Sequence, residues 1–475
     1  MGPREAAAEV LAALLPTLPQ AAANRPELSV RSPDLPGLPE GREGREGHEP
    51  LESRHAAIAI ESDGEAVRLA AKDPARSSMP ADQRLREFLR GQPGLGKRDR
   101  LLVADLVFDV LRNLRLYQEL AHASGRSRLA PAERPRVLVE IALAVAHGAA
   151  ANGCGADING SADSNSNSSS GEGASPSPWS SIAAGLPQAV RYSLPDWLWE
   201  RLEATHGART GAIAAALLHP SPIDIRVNLL LGKANELRAL LAQRGIDTAA
   251  IQGVPTGLRV IGRPNLEHLD LFQQGWFEIQ DAGSQWIVDG CGVKRGQLVI
   301  DFCAGGGGKS LAIAARMRNL GKVLAFDTVE ERLARLSPRA VRAGTDIVEP
   351  MRIDGLADRR LGRYRSRADV VLVDAPCSGT GTLRRSPDLK WRLSPARLQA
   401  HVEEQQAILR AAAPLVKPGG MLVYATCSLL REENELQVAR FEQAGFNRMR
   451  MAAWLPDEGP SSSFFLATWV FQARR

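Results

Sequence analysis

From residue 276 onward, short continuous apolar runs alternate with amphipathic stretches. "QLVIDFC", "KVLAFD", "DVVLVDAP" and "KPGGMLVYATCS" read as strands. "KSLAIAARMRN", "EERLARLSPRAVRAG", "ARLQAHVEEQQAILRAAAPLV" and "EENELQVARFEQAG" read as helices between and after them. Strands that are apolar on both faces, separated by helices, predict an α/β domain with a parallel sheet covered on both sides. In such sheets ligands bind at the carboxyl ends of the strands.

Upstream the pattern changes. Leu101, Leu102, Leu106, Val110 and Leu114 recur at helical spacing, and "PRVLVEIALAVAHGAA" continues it, so residues 80–150 are expected to form a helical module. Residues 180–275 mix helical stretches such as "LPDWLWERLEATHG" with the strand-like "IDIRVNLLLG" and "GLRVI", a small α+β extension. Residues 151–179 are rich in Ser, Asn and Gly and read as a linker. Residues 1–79 are rich in Pro, Gly and charge and are expected to be mainly a disordered tail. The catalytic-type alternation then occupies 276–475.

Composition adds limits rather than an answer. The chain has 475 residues, too many for one ordinary domain. A net charge of +5 is compatible with a polyanionic partner but is modest for this length. The excess of Arg over Lys reflects a GC-rich coding sequence as readily as phosphate recognition. Five cysteines at irregular spacing form neither a disulfide framework nor a zinc pattern, so reduced thiols in a cytoplasmic setting and no metal are expected. The N-terminus fits neither a signal nor a transit peptide, and no apolar run reaches membrane-spanning length.

The chemistry sits at the expected strand ends. "DFCAGGGGKS" joins a strand to a helix through Gly305, Gly306, Gly307 and Gly308, which suits close approach of a ligand to the backbone. A phosphate-binding P-loop would need glycine where Cys303 stands. Asp327 and Asp354 each follow a strand, as a ribose-binding acid or as a plain helix cap would. Cys377 and Cys427 follow two further strands, with Asp374 close to the first. A lone cysteine is usually a small buried hydrophobe; two at strand ends point to a shared crevice. "TLRRSPDLKWR" places Arg384, Arg385, Lys390 and Arg392 around Trp391, as an RNA-facing loop or as a charged loop with Trp391 in the core.

In order, "DFCAGGGGKS", "AFD", "RIDG", "VLVDAPCSGTGTLRRSPDLKWR" and "LVYATCSLLREEN" resemble the RNA 5-methylcytosine methyltransferase family. "LPDWLWERL", "IRVN" and "FEIQDAGSQ" resemble its substrate-binding extension, and "LGKRDRLLVADLVFDVLRNLRL" the N-terminal helical, RNA-binding domain of the bacterial small-subunit type. The resemblance implies a Rossmann-like domain that binds S-adenosylmethionine and acts on RNA as a monomer. By the same resemblance, Cys303, Ala304, Gly305–Gly308 and Lys309 wrap the cofactor, with Lys309 near its carboxylate. Asp327 holds the ribose hydroxyls, Asp354 lies on the adenine side, and Asp374 sits where cofactor and base meet. Cys427 is the implied nucleophile and Cys377 assists product release. The family often has Ala-Pro at the positions of Gly305-Gly306, so a more flexible loop is expected here.

That reading leaves ribosomal RNA ahead of transfer RNA as substrate. A DNA cytosine methyltransferase would use Cys377 as nucleophile and leave Cys427 unexplained. An adenine or amide N-methyltransferase would carry an Asn/Asp-Pro-Pro-Tyr strand end, not "DAPC". A non-catalytic RNA-binding assembly factor would tolerate loss of Cys427.

Overall fold

The computed structural model describes residues 1–18, 79–126, 130–151, 182–441, 445–459 and 462–472. The expected linker lies outside these residues apart from Ala151, as does the expected tail from residue 19 to 78. The chain forms two compact units, Met1–Glu200 with Ser386–Arg392, and Arg201–Arg385 with Leu393–Arg475.

The first unit is helical. Leu106, Val110 and Leu114 of the helix Lys97–Ala123 are buried as their spacing predicts. Leu101 and Leu102 are 45% and 42% exposed, so the buried stripe begins only at Val103. The helices Ala81–Arg90 and Arg134–Ala151 contribute to the same core. The tail expectation is corrected at its start. Pro3–Leu14 is a helix, with Pro at its first position and Glu5 accepting from the Gly2 amide at 2.9 Å. Its Ala6, Ala7, Val10, Leu11 and Leu14 recur at helical spacing and enter the core. Composition averaged over 79 residues hides a twelve-residue amphipathic segment.

The second unit holds two sheets. The smaller has β1 (Ile223–Val227), β2 (Thr248–Ile251), β3 (Val254–Val260) and β4 (Phe277–Ile279), in the antiparallel order β2-β3-β1-β4. The expected boundary at 275 therefore shifts: Phe277–Ile279 pairs with β1 and belongs to the extension.

The larger sheet has β5 (Leu298–Asp301), β6 (Lys322–Asp327), β7 (Val348–Arg352), β8 (Ala368–Asp374), β9 (Val416–Thr426), β10 (Phe446–Trp454) and β11 (Phe464–Phe471). Its order is β10-β11-β9-β8-β5-β6-β7. β5 to β9 are parallel, whereas β11 runs antiparallel to β9 and β10 antiparallel to β11. The apolar alternation predicted the parallel part; the antiparallel pair at the edge was not foreseen. Successive side chains point to opposite faces. Ile300, Leu324, Val371 and Leu422 enter one core layer, and Val299, Val323, Val370 and Val423 the other. This explains the continuous apolar runs. The chain moves outward from β5 to β7, then crosses to β8 on the other side of β5. That reversal opens a crevice at the carboxyl ends of β5 and β8.

Candidate active site

Everything singled out after β5, β6, β7, β8 and β9 lies at one edge of the sheet, because parallel strands end together. β8 and β9 are neighbours, so the segments that follow them are neighbours too. Cys377 Sγ and Cys427 Sγ stand 3.4 Å apart. Cys427 O accepts from the Gly381 amide at 2.9 Å, and Gly381 O from the Ser463 amide at 3.0 Å. A side chain at Gly381 would meet Cys427 O and Ser463 O within 2.8 Å, so only glycine lets these segments close on each other. The adjacent Cys427 thiol, then burial, then Glu433 push the Cys377 thiol well above its ordinary value. Cys377 therefore stays protonated at neutral pH.

Lys309 Nζ donates to Asp374 Oδ2 at 2.5 Å, tying the first turn of the helix Gly308–Arg316 to the end of β8. Burial opposes the lysine charge, but Asp374 and then Asp301 outweigh it, and Lys309 ends above its ordinary value. Cys427 also acts to raise it, so the ammonium is electrostatically coupled to that thiol.

The glycine loop is held from both sides. Asp327 Oδ2 accepts from the Gly305 amide at 2.8 Å, and Oδ1 from the Val329 amide at 2.9 Å. Arg226, buried on β1, donates to Gly308 O and Gln280 Oε1, each at 2.8 Å. Arg339 donates to Gly306 O while paired with Glu278 of β4 at 2.9 Å. The Gly305-Gly306 pair was expected to loosen this loop; the structure instead holds the Gly305 amide on Asp327 and the Gly306 and Gly308 carbonyls on arginines of other elements. Sequence reading placed Arg226 in "IRVN" and Glu278 in "FEIQDAGSQ" without giving either a role at the glycine loop, and it missed Arg339, which lies in none of the quoted family motifs.

Gly305 and Gly307 adopt positive φ, 54° and 77°. A Cβ on Gly307 would overlap Leu336, whereas one on Gly305 would meet no atom within 4 Å. The loop is closed beneath and open above. The Asp354 carboxylate follows β7 and is 67% exposed, with Arg352 3.4 Å and Arg360 3.5 Å away. Cys303 and Ala304 are partly buried in the two core layers, so their backbone rather than their side chains is what the crevice can use.

The expected RNA contacts need correction. Lys390 is buried and donates to Arg112 O at 2.6 Å; burial, then Arg112, lower it well below its ordinary value. Trp391 beside it donates to Leu111 O at 2.8 Å from the helical core. Arg392 pairs with Asp388 at 3.0 Å. Arg384 is buried and donates to His219 O and Pro220 O at 3.3 and 3.1 Å. Arg385 pairs with Asp281 but keeps half of its side chain exposed. The burial of Trp391 draws the short helix Leu389–Arg392 inward, which removes Lys390 from solvent.

A family model described as 16S rRNA methyltransferase RsmB/F matches residues 292–454, and a ferredoxin-like domain model of the RsmF/B-like methyltransferases matches 194–267. Residues 292–454 are thus similar to this methyltransferase family. It is 37% identical over 276 residues to the "Probable ribosomal RNA small subunit methyltransferase B" of Synechocystis, covering 58% of this chain and 62% of that protein. The chain thus spans less than two thirds of that relative's length. The solved structure of PH0851 aligns with a TM-score of 0.64 at 24% identity, over 86% of this chain and 97% of that one. NSun6 from Pyrococcus horikoshii, solved with SFG, aligns with a TM-score of 0.54 at 21% identity, over 59% of this chain and 99% of that one. At these identities the structures establish the fold alone, a Rossmann-like α/β domain.

S-adenosylmethionine is the cofactor of this family, and the crevice fits such a molecule. It offers an open glycine cradle at a helix N-terminus, an acid after β6, an exposed acid after β7 and a Lys-Asp pair after β8. Gly307→Ala is expected to weaken S-adenosylmethionine binding by at least about tenfold, since a side chain at positive φ costs about 1–3 kcal/mol before any overlap. Calorimetric titration of the folded variant checks this.

Asp301, also missed, lies under the loop with one oxygen accepting from Ser310 Oγ at 2.7 Å and Oδ1 without a hydrogen-bond partner among the described residues. Burial raises it to about 7, against the opposing Ser310 bond. The folded chain keeps a proton there that the unfolded chain loses near pH 4. The stability this group contributes is therefore present at low pH and lost as pH rises toward 7. Asp301→Asn is expected to flatten that part of the stability profile, measured by urea denaturation between pH 5 and 8.

Proposed function

We propose that the protein transfers a methyl group from S-adenosylmethionine to C5 of a cytosine in RNA, with small-subunit ribosomal RNA as the substrate. The reading rests on the two thiols 3.4 Å apart at neighbouring strand ends, beside the Lys309–Asp374 pair. A site for direct transfer to an amine or hydroxyl has no use for two adjacent thiols. Transfer to C5 does, because that carbon is a poor nucleophile until C6 is attacked.

In this scheme the Cys427 thiolate adds to C6, and the displaced ring electrons make C5 an enamine carbon. Asp374 contacts the N3 and exocyclic amine edge, where charge develops. S-adenosylmethionine supplies the electrophilic methyl group when bound. C5 then carries both methyl and hydrogen; a base takes the proton, the electron pair re-forms the C5–C6 double bond, and the carbon–sulfur bond breaks. Cys377, kept as a thiol, donates a hydrogen bond to the departing sulfur. The target base must leave any stack to reach the crevice.

The test incubates the full chain with methyl-labelled S-adenosylmethionine and unmethylated small-subunit ribosomal RNA, followed by nucleoside mass spectrometry. Labelled 5-methylcytidine is the expected product. Label appearing only in transfer RNA would change the substrate, label on another atom would reject the chemistry, and no label in any RNA would favour a binding factor.

A further inference from the structure

Glu433 is fully buried, yet the proposed chemistry does not use it. Its Oε1 accepts from the Ser378 amide at 2.8 Å and from Gln405 Nε2 at 3.0 Å. Its Oε2 accepts from Ser378 Oγ and from Ser428 Oγ, both at 2.5 Å. Ser378 follows Cys377 and Ser428 follows Cys427. One carboxylate thus grips the residue after each thiol. Gln405 extends the grip, because its Nε2 also donates to Pro376 O at 2.8 Å, on the other side of Cys377. Asn434 braces the second segment: its Oδ1 accepts from Thr426 Oγ1 at 2.6 Å and its Nδ2 donates to Ser428 O at 2.9 Å.

We propose that Glu433 is the positioning residue that sets the spacing between Cys377 and Cys427. The donor count explains why the position holds an acid. Four neutral donors converge on two oxygens, and an ionised carboxylate accepts at both while donating at neither. Glutamine has the same shape but one accepting oxygen, so its amide nitrogen would face two of these donors. The bonds to a buried carboxylate are charge-assisted and resist bending. A rate that depends on two sulfurs in succession is sensitive to this spacing, since a misplacement of about 1 Å can cost roughly a hundredfold. The catalytic consequence rests on the cytosine-C5 reading; the spacing itself does not.

The test uses a ruler that needs neither RNA nor cofactor. Diamide oxidises a close thiol pair to a disulfide, taking up the two hydrogens itself and becoming a hydrazine. In the full chain, a Cys377–Cys427 disulfide is expected to form rapidly, read by mass spectrometry of non-reduced peptides. Glu433→Gln is expected to slow it at least about tenfold and to lower kcat about 10- to 100-fold, with KM for S-adenosylmethionine unchanged. A folded Glu433→Gln protein that cross-links at the wild-type rate overturns the proposal, whatever its activity. If that variant does not fold, Ser378→Ala and Ser428→Ala decide, each removing one hydroxyl donor. Slower cross-linking in both supports the proposal, and wild-type rates in either overturn it. Should wild type cross-link in a Glu433-dependent way yet methylate no cytosine, the spacing role stands and the reaction assigned above falls.

Discussion

Cys377→Ala is expected to turn the protein into one that keeps hold of its RNA. With S-adenosylmethionine present, a covalent protein–RNA complex should accumulate and survive a denaturing gel. The reasoning is stepwise. On the proposed cytosine-C5 chemistry, Cys427 remains and can still add to C6, so the early steps proceed. The departing sulfur then lacks its neighbouring hydrogen-bond donor, which in the wild type lies 3.4 Å away. Proton-transfer and hydrogen-bonding groups of this kind contribute about 10²–10⁴-fold, and turnover should fall by that amount. Cys427→Ala should instead give no complex and lower kcat by at least about a thousandfold, as removal of a nucleophile does. The double variant should behave like Cys427→Ala. RNA substituted with 5-azacytidine extends the comparison, because its ring nitrogen has no proton to lose and traps the wild type as well. If Cys377→Ala alone abolished the complex, the two thiols would exchange roles.

Trp391→Ala is expected to destabilise the helical unit by about 3–5 kcal/mol, a large part of the stability of an ordinary domain. The side chain is 1% exposed, packs in the helical core and donates to Leu111 O at 2.8 Å. Its segment is anchored again by Asp388, which accepts from the Ala81 amide at 3.2 Å, and by Lys390 on Arg112 O. Removing the ring leaves a cavity, an unpaired carbonyl and a buried lysine with less support. Trp391→Phe keeps most of the volume and loses only the indole donor, so it should cost about 1–2 kcal/mol. Hydrogen exchange across Lys97–Ala123 reads this directly: protection should drop strongly in the alanine variant and slightly in the phenylalanine one. Unchanged protection in Trp391→Ala would show that the segment contributes nothing to that core.

The Trp391 segment also marks where reading along the chain stops being informative. In "DLKWR" the alternatives were an RNA-facing loop and a charged loop with its tryptophan in the core. Local composition is the same in both cases. What decides between them is whether another part of the chain presents an apolar surface and two carbonyl acceptors at the right place. The helix Lys97–Ala123, some 280 residues earlier, does so at Leu111 and Arg112. The helix Pro3–Leu14 makes the same point in reverse: its pattern is helical, but only a waiting core makes so short a helix stable.

By itself the sequence determined the parallel strands, the glycine turn after β5 and the presence of two cysteines at strand ends. These follow from periodicity and from backbone freedom, which are local properties. It also carried the family motifs in their order. The tertiary structure alone decided that the two sulfurs meet, because the adjacency of β8 and β9 depends on sheet order. It decided that Arg226 and Arg339 secure the glycine loop and that Lys390 is buried. It also gave Glu433 its four donors, which come from residues 378, 405 and 428. A buried charge or a hydrogen-bond network is satisfied by whatever folding brings near it, and separation along the chain does not encode that distance.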